Sequence, residues 1–272
     1  MAAKLLSDLA SGVTCVPSNY VRPVHDRPSL DQVQPSDHSI PLINLHGFDG
    51  SRCHEIINQI GLACQNYGFF QVQNHAIEEA VIDNMLKVAR EFFHLPESER
   101  LKCFSEDPLK TTRLSTSFNV KTEEVSSWRD YLRLHCYPLE DYMHEWPSNP
   151  PSFREDVAEY CRNVKGLAER LLEAISESLG LEKDYRKEFD PNDRYKSVLH
   201  RAVVNCDKER ISIPTFYCPS YDAVMEPAPQ LVDDHHPPLY RSFTYAEFYD
   251  KFWDRGLNTR SSLDLFKTTS HA

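Results

Sequence analysis

Ser197-Val198-Leu199-His200-Arg201-Ala202-Val203-Val204, followed ten residues after its histidine by Arg210-Ile211-Ser212, decides how this chain is read. Alternation predicts a strand over 197–204, with Val198, His200, Ala202 and Val204 on one face. A second strand is predicted over 210–217, where Arg210 and Ser212 share a face. The five-residue loop Asn205 to Glu209 would set Ala202 opposite Ser212 and bring His200 to the face of the Arg-Ser pair. A neutral imidazole suits a metal ion. An arginine beside a hydroxyl suits a carboxylate, held bidentately. Each signal is thin alone. A histidine among valines is more often packed core than ligand, and Arg113-Leu114-Ser115 repeats Arg-x-Ser on a loop-like stretch with no histidine before it. The ordered combination carries the reading.

Outward from that stretch, the rest of the chain reads as a mixture of helices and strands. Residues 1–38 carry Pro17, Pro23, Pro28 and Pro35 and read as an extended arm. Ile40 to Leu45 is a short strand. Ser51 to Asn66 is a helix with Ile56, Ile57, Ile60, Ala63 and Cys64 on one stripe. Tyr67 to His75 is a strand. Glu78 to Phe93 is a helix faced by Val81, Ile82, Met85, Leu86, Ala89 and Phe92, and Pro96 opens a short helical piece. Leu109 to Pro138 turns to strand and loop, strongest over Trp128–Leu134. A long helix over about 152–180 starts at Ser152 with Glu155 as a capping box and closes at Gly180. A short helix is expected from Tyr185 to Phe189. Near the end, Thr244-x-x-Glu247 caps a last helix with Tyr245, Phe248, Tyr249 and Phe252 inward.

Bulk properties exclude several classes. The net charge of −11 argues against nucleic acid or an anionic membrane as partner. No run approaches the roughly 18 apolar residues of a membrane span. The N-terminus lacks a signal-peptide pattern. Eight scattered cysteines without Cys-x-x-Cys read as reduced thiols in a cytoplasmic, or nuclear, setting. Gly-x-Gly-x-x-Gly, phosphate-binding and Gly-x-Ser-x-Gly patterns are absent. Asp233-Asp234-His235-His236 has the composition of a metal cluster but sits among Pro227, Pro229, Pro237 and Pro238, so a solvated loop is expected. Trp128, Tyr131 and Tyr137 are candidates for an aromatic-binding wall.

Longer motifs sharpen this. Ile40-Pro41-Leu42-Ile43, Ala63 to His75 and Phe92-Phe93-His94-Leu95-Pro96 resemble the N-terminal region of plant 2-oxoglutarate-dependent dioxygenases, the group holding flavonol synthases and flavanone hydroxylases. Trp128 to Glu140, running into His144 to Pro151, looks like the downy-mildew-resistance oxygenases, which are similar to salicylate hydroxylases. Asn192 to Arg201 and Arg210 to Tyr217 resemble the family's last metal ligand and its 2-oxoglutarate anchor. The resemblance implies an α+β chain with a double-stranded β-helix, or jelly roll. It implies Fe(II), 2-oxoglutarate and ascorbate as cofactors, and a small aromatic substrate of salicylate type, in plant defence and salicylate catabolism. A flavonoid substrate is the alternative. By this carry-over His200 is a metal ligand, and Arg210 and Ser212 bind 2-oxoglutarate.

One departure matters. The family's iron takes two histidines and a carboxylate, the first pair arriving as His-x-Asp or His-x-Glu. None of the twelve histidines here has an acid two residues later. Relatives carry the His-x-Asp strand and further strands where this chain runs straight through Asp190-Pro191. No glycine stands between Leu181 and Arg255 to turn such strands. The expectation is therefore an internal deletion, by splicing or gene-model error. It divides the chain into an arm (1–38), an N-terminal dioxygenase region (39–189) and a C-terminal remnant of the jelly roll (190–272). Such a chain has an incomplete jelly roll, impaired catalysis with no catalytic side chain assigned, and exposed strand edges that favour self-association.

Overall fold

The computed structural model describes residues 5–10, 12–24, 27, 40–116, 125–183, 185, 189–190, 192–198, 200, 202, 204, 208–255 and 262–268. In chain order its main elements are α1 (Leu6–Ala10), β1 (Leu42–Asn44), α2 (Cys53–Asn66), β2 (Gln71–Gln73), α3 (Glu79–Phe93), α4 (Glu97–Arg100), β3 (Thr112–Ser115) and β4 (Tyr131–Leu134). Then follow α5 (Leu139–Tyr142), α6 (Phe153–Ser178), β5 (Phe189–Asp190), β6 (Val224–Pro227), β7 (Phe243–Thr244) and α7 (Tyr245–Arg255). Two compact units form, each from three separated stretches. The first is 1–35, 77–163 and 203–213; the second is 36–76, 164–202 and 214–272.

The first unit is organised by α3, whose Val81, Met85, Val88, Ala89 and Phe92 recur at helical spacing and are all buried. They pack with Leu114, Trp146, Phe153, Val157 and Ala158. β3 and β4 pair antiparallel, Thr112 opposite Leu134 and Ser115 opposite Tyr131. This corrects the loop expected at Arg113-Leu114-Ser115, which is a buried strand. A buried guanidinium is tolerable only when hydrogen-bonded. Arg113 meets that condition by donating to the Ser105 carbonyl at 2.9 Å and the Tyr131 hydroxyl at 2.7 Å. The arm also differs from a purely extended chain. Leu5 is fully buried in this core and α1 follows it. The Asp130 carboxylate accepts from the backbone N–H groups of Leu6 (2.7 Å) and Ser7 (2.9 Å) and from the Ser7 hydroxyl (2.7 Å). A carboxylate at a helix start satisfies donors that the helix itself leaves open.

In the second unit, Ile56, Ile57, Ile60 and Ala63 of α2 pack with Ile43, Leu45, Phe48 and Ala174. β1 and β2 pair parallel, Leu42 opposite Gln71. α2 stops where Gly68 turns left-handed (φ +74°) and donates to the Ala63 carbonyl at 3.0 Å. α6 closes as expected at Gly180 (φ +77°), with Leu181 N–H to Ser176 O at 3.0 Å and Gly180 N–H to Glu177 O at 2.9 Å. That bond pair is the Schellman ending. β5, β6 and β7 make a three-stranded sheet, β5–β6 parallel and β6–β7 antiparallel. Phe189 thus lies in a strand, where a helix end had been expected; positions 186–188 of that helix lie outside the described residues. Thr244 caps α7, its hydroxyl accepting from Glu247 N–H at 3.2 Å. Phe243 stacks on Phe266 at 4.1 Å beside Phe248 of α7.

The predicted hairpin is corrected as well. Residues 210–217 are in no strand and pair with no strand among the described residues. In 197–204, the described positions are likewise outside any strand, while Leu199, Arg201 and Val203 lie outside the described residues. The strand pattern is present in both stretches, but a strand exists only by bonding to a neighbour.

Candidate functional site

His200 stands at the end of a stretch that the second unit holds firmly. Asn192 and Asp193 both take left-handed backbone angles (φ +50° and +60°), conformations that Asn and Asp tolerate better than most residues. The buried Asn192 amide donates to the Pro237 carbonyl at 3.1 Å and accepts from Leu239 N–H at 2.7 Å. Asp193 accepts from the Tyr240 hydroxyl at 2.6 Å. Arg194 reaches the Leu231 carbonyl at 3.3 Å, and the Tyr195 hydroxyl meets the Ser178 hydroxyl at 2.7 Å. Lys196 N–H bonds to the Cys64 carbonyl at 3.1 Å. There the chain runs so close to the end of α2 that a Cβ on Gly68 would stand 2.5 Å from Lys196 O. Sequence reasoning did not assign these positioning residues. The Asn-Asp pair was the available signal, a dipeptide suited to a left-handed turn.

His200 itself is exposed, its Nδ1 lying 3.0 Å from the Val198 carbonyl oxygen. Arg210 and Ser212 belong to the first unit, both exposed, with Arg210 Nη1 3.4 Å from Ser212 Oγ. That pair is brought together, as alternate positions of an extended stretch allow. It is tethered upstream by Glu209, whose carboxylate is 3.2 Å from His94 Nε2, and downstream by Ile213 on the first unit's core. In the second unit, Phe216 is 82% exposed, and the Tyr217 hydroxyl donates to the Glu169 carboxylate at 3.3 Å.

The other candidates separate. Trp128 packs edge-on to Tyr20 at 5.0 Å. Tyr131 receives the Arg113 bond and has the Arg129 guanidinium 5.3 Å from its ring centre, and Tyr137 is largely exposed. Asp233 to His236 is a self-contained exposed turn. One Asp233 oxygen accepts from His235 N–H (2.8 Å), His236 N–H (2.8 Å) and His236 Nδ1 (2.9 Å). The His236 bond is the main reason that its carboxyl sits below the usual range. A cleft of about 260 Å³ lies in the second unit, lined by Leu45, Phe48, Asn74 and Ala76 among others; the Arg170–Asp49 ion pair at 2.8 Å spans two more of its lining residues.

Two family models match this chain. The N-terminal region of the non-haem dioxygenases, described for morphine synthesis, matches residues 40–152, and the 2OG-Fe(II) oxygenase superfamily matches residues 184–219. Protein DMR6-LIKE OXYGENASE 2 of Arabidopsis thaliana is 47% identical, over 99% of this chain and 99% of that protein. The chain belongs to the 2OG-Fe(II) oxygenase superfamily. Protein DOWNY MILDEW RESISTANCE 6 of the same plant is 42% identical over 98% of this chain and 99% of its own. Flavanone 3-dioxygenase 2 of Oryza sativa subsp. japonica is 40% identical over 93% and 94%. Among solved structures, JOX2 in complex with 2OG, Fe and JA superimposes with a TM-score of 0.83 at 26% identity, covering 98% of each chain. The superfamily consists of oxidoreductases with a jelly-roll fold and with iron(II) and 2-oxoglutarate as cofactors.

The match to DMR6-LIKE OXYGENASE 2 extends over 345 positions, against 272 residues in this chain, a difference of 73. At least that many positions of the alignment therefore have no counterpart here. Iron of this class takes two histidines and one carboxylate on one octahedral face. Among the described residues, no group of three His, Cys, Asp or Glu side chains is placed to hold a metal ion. His200 offers one imidazole from an exposed position. The described residues do not fit the iron. No described helix is long and apolar enough to cross a membrane.

Proposed function

We propose that this chain is an internally shortened relative of an oxygenase that hydroxylates a small aromatic acid of salicylate type, and that as it stands it does not turn over. The supporting observation is that one candidate ligand, His200, and one candidate 2-oxoglutarate anchor, Arg210 with Ser212, remain while no second histidine and carboxylate join them among the described residues. A loss located between Asp190 and Asn192 accounts for this, and the 73 unmatched alignment positions are of the size that the His-x-Asp strand and its neighbours would need. The strands at His200 and Arg210 then lose the ladder partners that would make them strands. The 42% identity to DOWNY MILDEW RESISTANCE 6 favours an aromatic acid, and the 40% identity to a flavanone 3-dioxygenase supports a flavonoid as second reading. In either case the surviving role is non-catalytic binding, in the cytoplasm.

The test is an iron(II) titration of the purified chain with and without 2-oxoglutarate, alongside succinate release with salicylate and with naringenin. Weak iron binding, unchanged by His200→Ala, and no succinate are expected. Tight one-to-one binding with substrate-dependent succinate would overturn the proposal, and the substrate giving succinate would decide between the two readings.

A further inference from the structure

The cleft of about 260 Å³ in the second unit is lined by none of the residues assigned to iron or 2-oxoglutarate. Leu45 and Phe48 line it, both buried and both part of the unit's core. Two turns make its rim. Gly47 in one (φ +80°) and Asn74 and Ala76 in the other (φ +55° and +64°) all hold left-handed angles, which an alanine rarely adopts. Asn44 ties the two turns together, its Oδ1 accepting from His46 N–H at 2.9 Å and from the Asn74 amide at 2.8 Å. Backbone of this kind persists only where its surroundings over-determine it, and it clusters at ligand clamps. The rim is therefore built before any ligand arrives.

A guanidinium completes the lining. Arg170 of α6 has its central carbon 5.1 Å from the middle of the Phe48 ring. Both Asp49 oxygens fall on the same Arg170 nitrogen, Nη2, at 2.9 and 2.8 Å. Nε and Nη1 make no hydrogen bond among the described residues, so the fork that suits a carboxylate best stands unused. The Asp49 side chain is 84% exposed, and a pair held that way is weak.

We propose that this cleft binds a small planar monocarboxylate, whose carboxylate forks onto Arg170 in place of Asp49 and whose apolar body packs against Leu45 and Phe48. Size agrees with this. An apolar cavity of about 150 Å³ takes benzene, so about 260 Å³ holds such a ring with a carboxylate attached. The site needs no iron, so it stands or falls apart from the proposed loss of turnover.

Sodium benzoate is titrated into the nitrogen-15-labelled full chain, with benzyl alcohol as an uncharged control of similar size. Saturable shifts at about millimolar benzoate are expected, confined to the amides of 45–50 and 74–76 and the Arg170 Nε–H, with none for benzyl alcohol. Arg170→Lys keeps the charge, loses the fork and should weaken binding about tenfold. Asp49→Asn removes the competing carboxylate and should tighten binding about twofold or more. Because Asp49 is exposed, this variant tests the site even where Arg170→Lys fails to fold. Equal shifts with benzyl alcohol, shifts away from the cleft, undiminished binding by Arg170→Lys or weaker binding by Asp49→Asn would each overturn the proposal.

Discussion

At Gly68 an added methyl group would meet the Lys196 carbonyl oxygen at 2.5 Å, on a backbone already at φ +74°. Neither contact nor angle can relax without moving the Lys196 stretch off the end of α2. Gly68→Ala is expected to lower stability by about 2 kcal/mol or more, read from the midpoint of urea unfolding. An unchanged midpoint would mean that this stretch is not seated there. His135 makes a second residue-scale prediction. Burial, then the charge of Arg133, holds its imidazole below the ordinary 6.5, with Glu145 partly opposing. A depressed histidine binds protons less readily folded than unfolded, so its contribution is complete above pH 6.5 and is lost as pH falls through the lowered value. Melting temperature should therefore drop between pH 7.5 and 5.5, and His135→Gln should flatten the slope; an equally steep mutant would assign the slope to other groups. Among candidate site residues, His200 and Arg210-x-Ser212 stand out in the sequence because their order and spacing are peculiar. Asn192 and Asp193 do not, because what they do depends on Pro237, Leu239 and Tyr240, some forty-five residues away.

At the scale of elements, the sequence spoke clearly wherever an element carries its own hydrogen bonds. α2, α3 and α6 were readable from apolar spacing, and the endings at Gly180 and Thr244 from the chemistry of the caps. Thr244→Ala removes the hydroxyl that receives Glu247 N–H and should cost about 1 kcal/mol, seen as loss of helical circular dichroism on mild heating; Thr244→Ser should retain most of it. Strands were harder. Residues 210–217 alternate as a strand should, yet stand unladdered among the described residues, since alternation says nothing about whether a partner is present. β3 failed in the opposite direction: Arg113 and Ser115 look like loop residues, and only the pairing with β4 and the bond to Tyr131 make the strand intelligible.

For the molecule as a whole, the exposed apolar side chains are the main liability. Val204, Phe216 and Tyr221 are 61%, 82% and 53% exposed, and the extended stretch 210–217, which has no ladder neighbour among the described residues, invites another chain. Sedimentation velocity should show association rising with concentration, and Phe216→Lys should reduce it. A single monomer species at all concentrations, with no effect of the substitution, would remove that expectation.

The left-handed pair Asn192-Asp193 has a consequence for how this chain tolerates a change of length. Every side-chain bond described for these two residues runs to 237–240, downstream in sequence. None of those bonds depends on what precedes residue 192. The turn thus keeps a downstream grip whatever precedes it, so polypeptide removed or inserted on its N-terminal side would leave that grip in place. A graft of the unmatched positions at that joint would meet a docking point already in place.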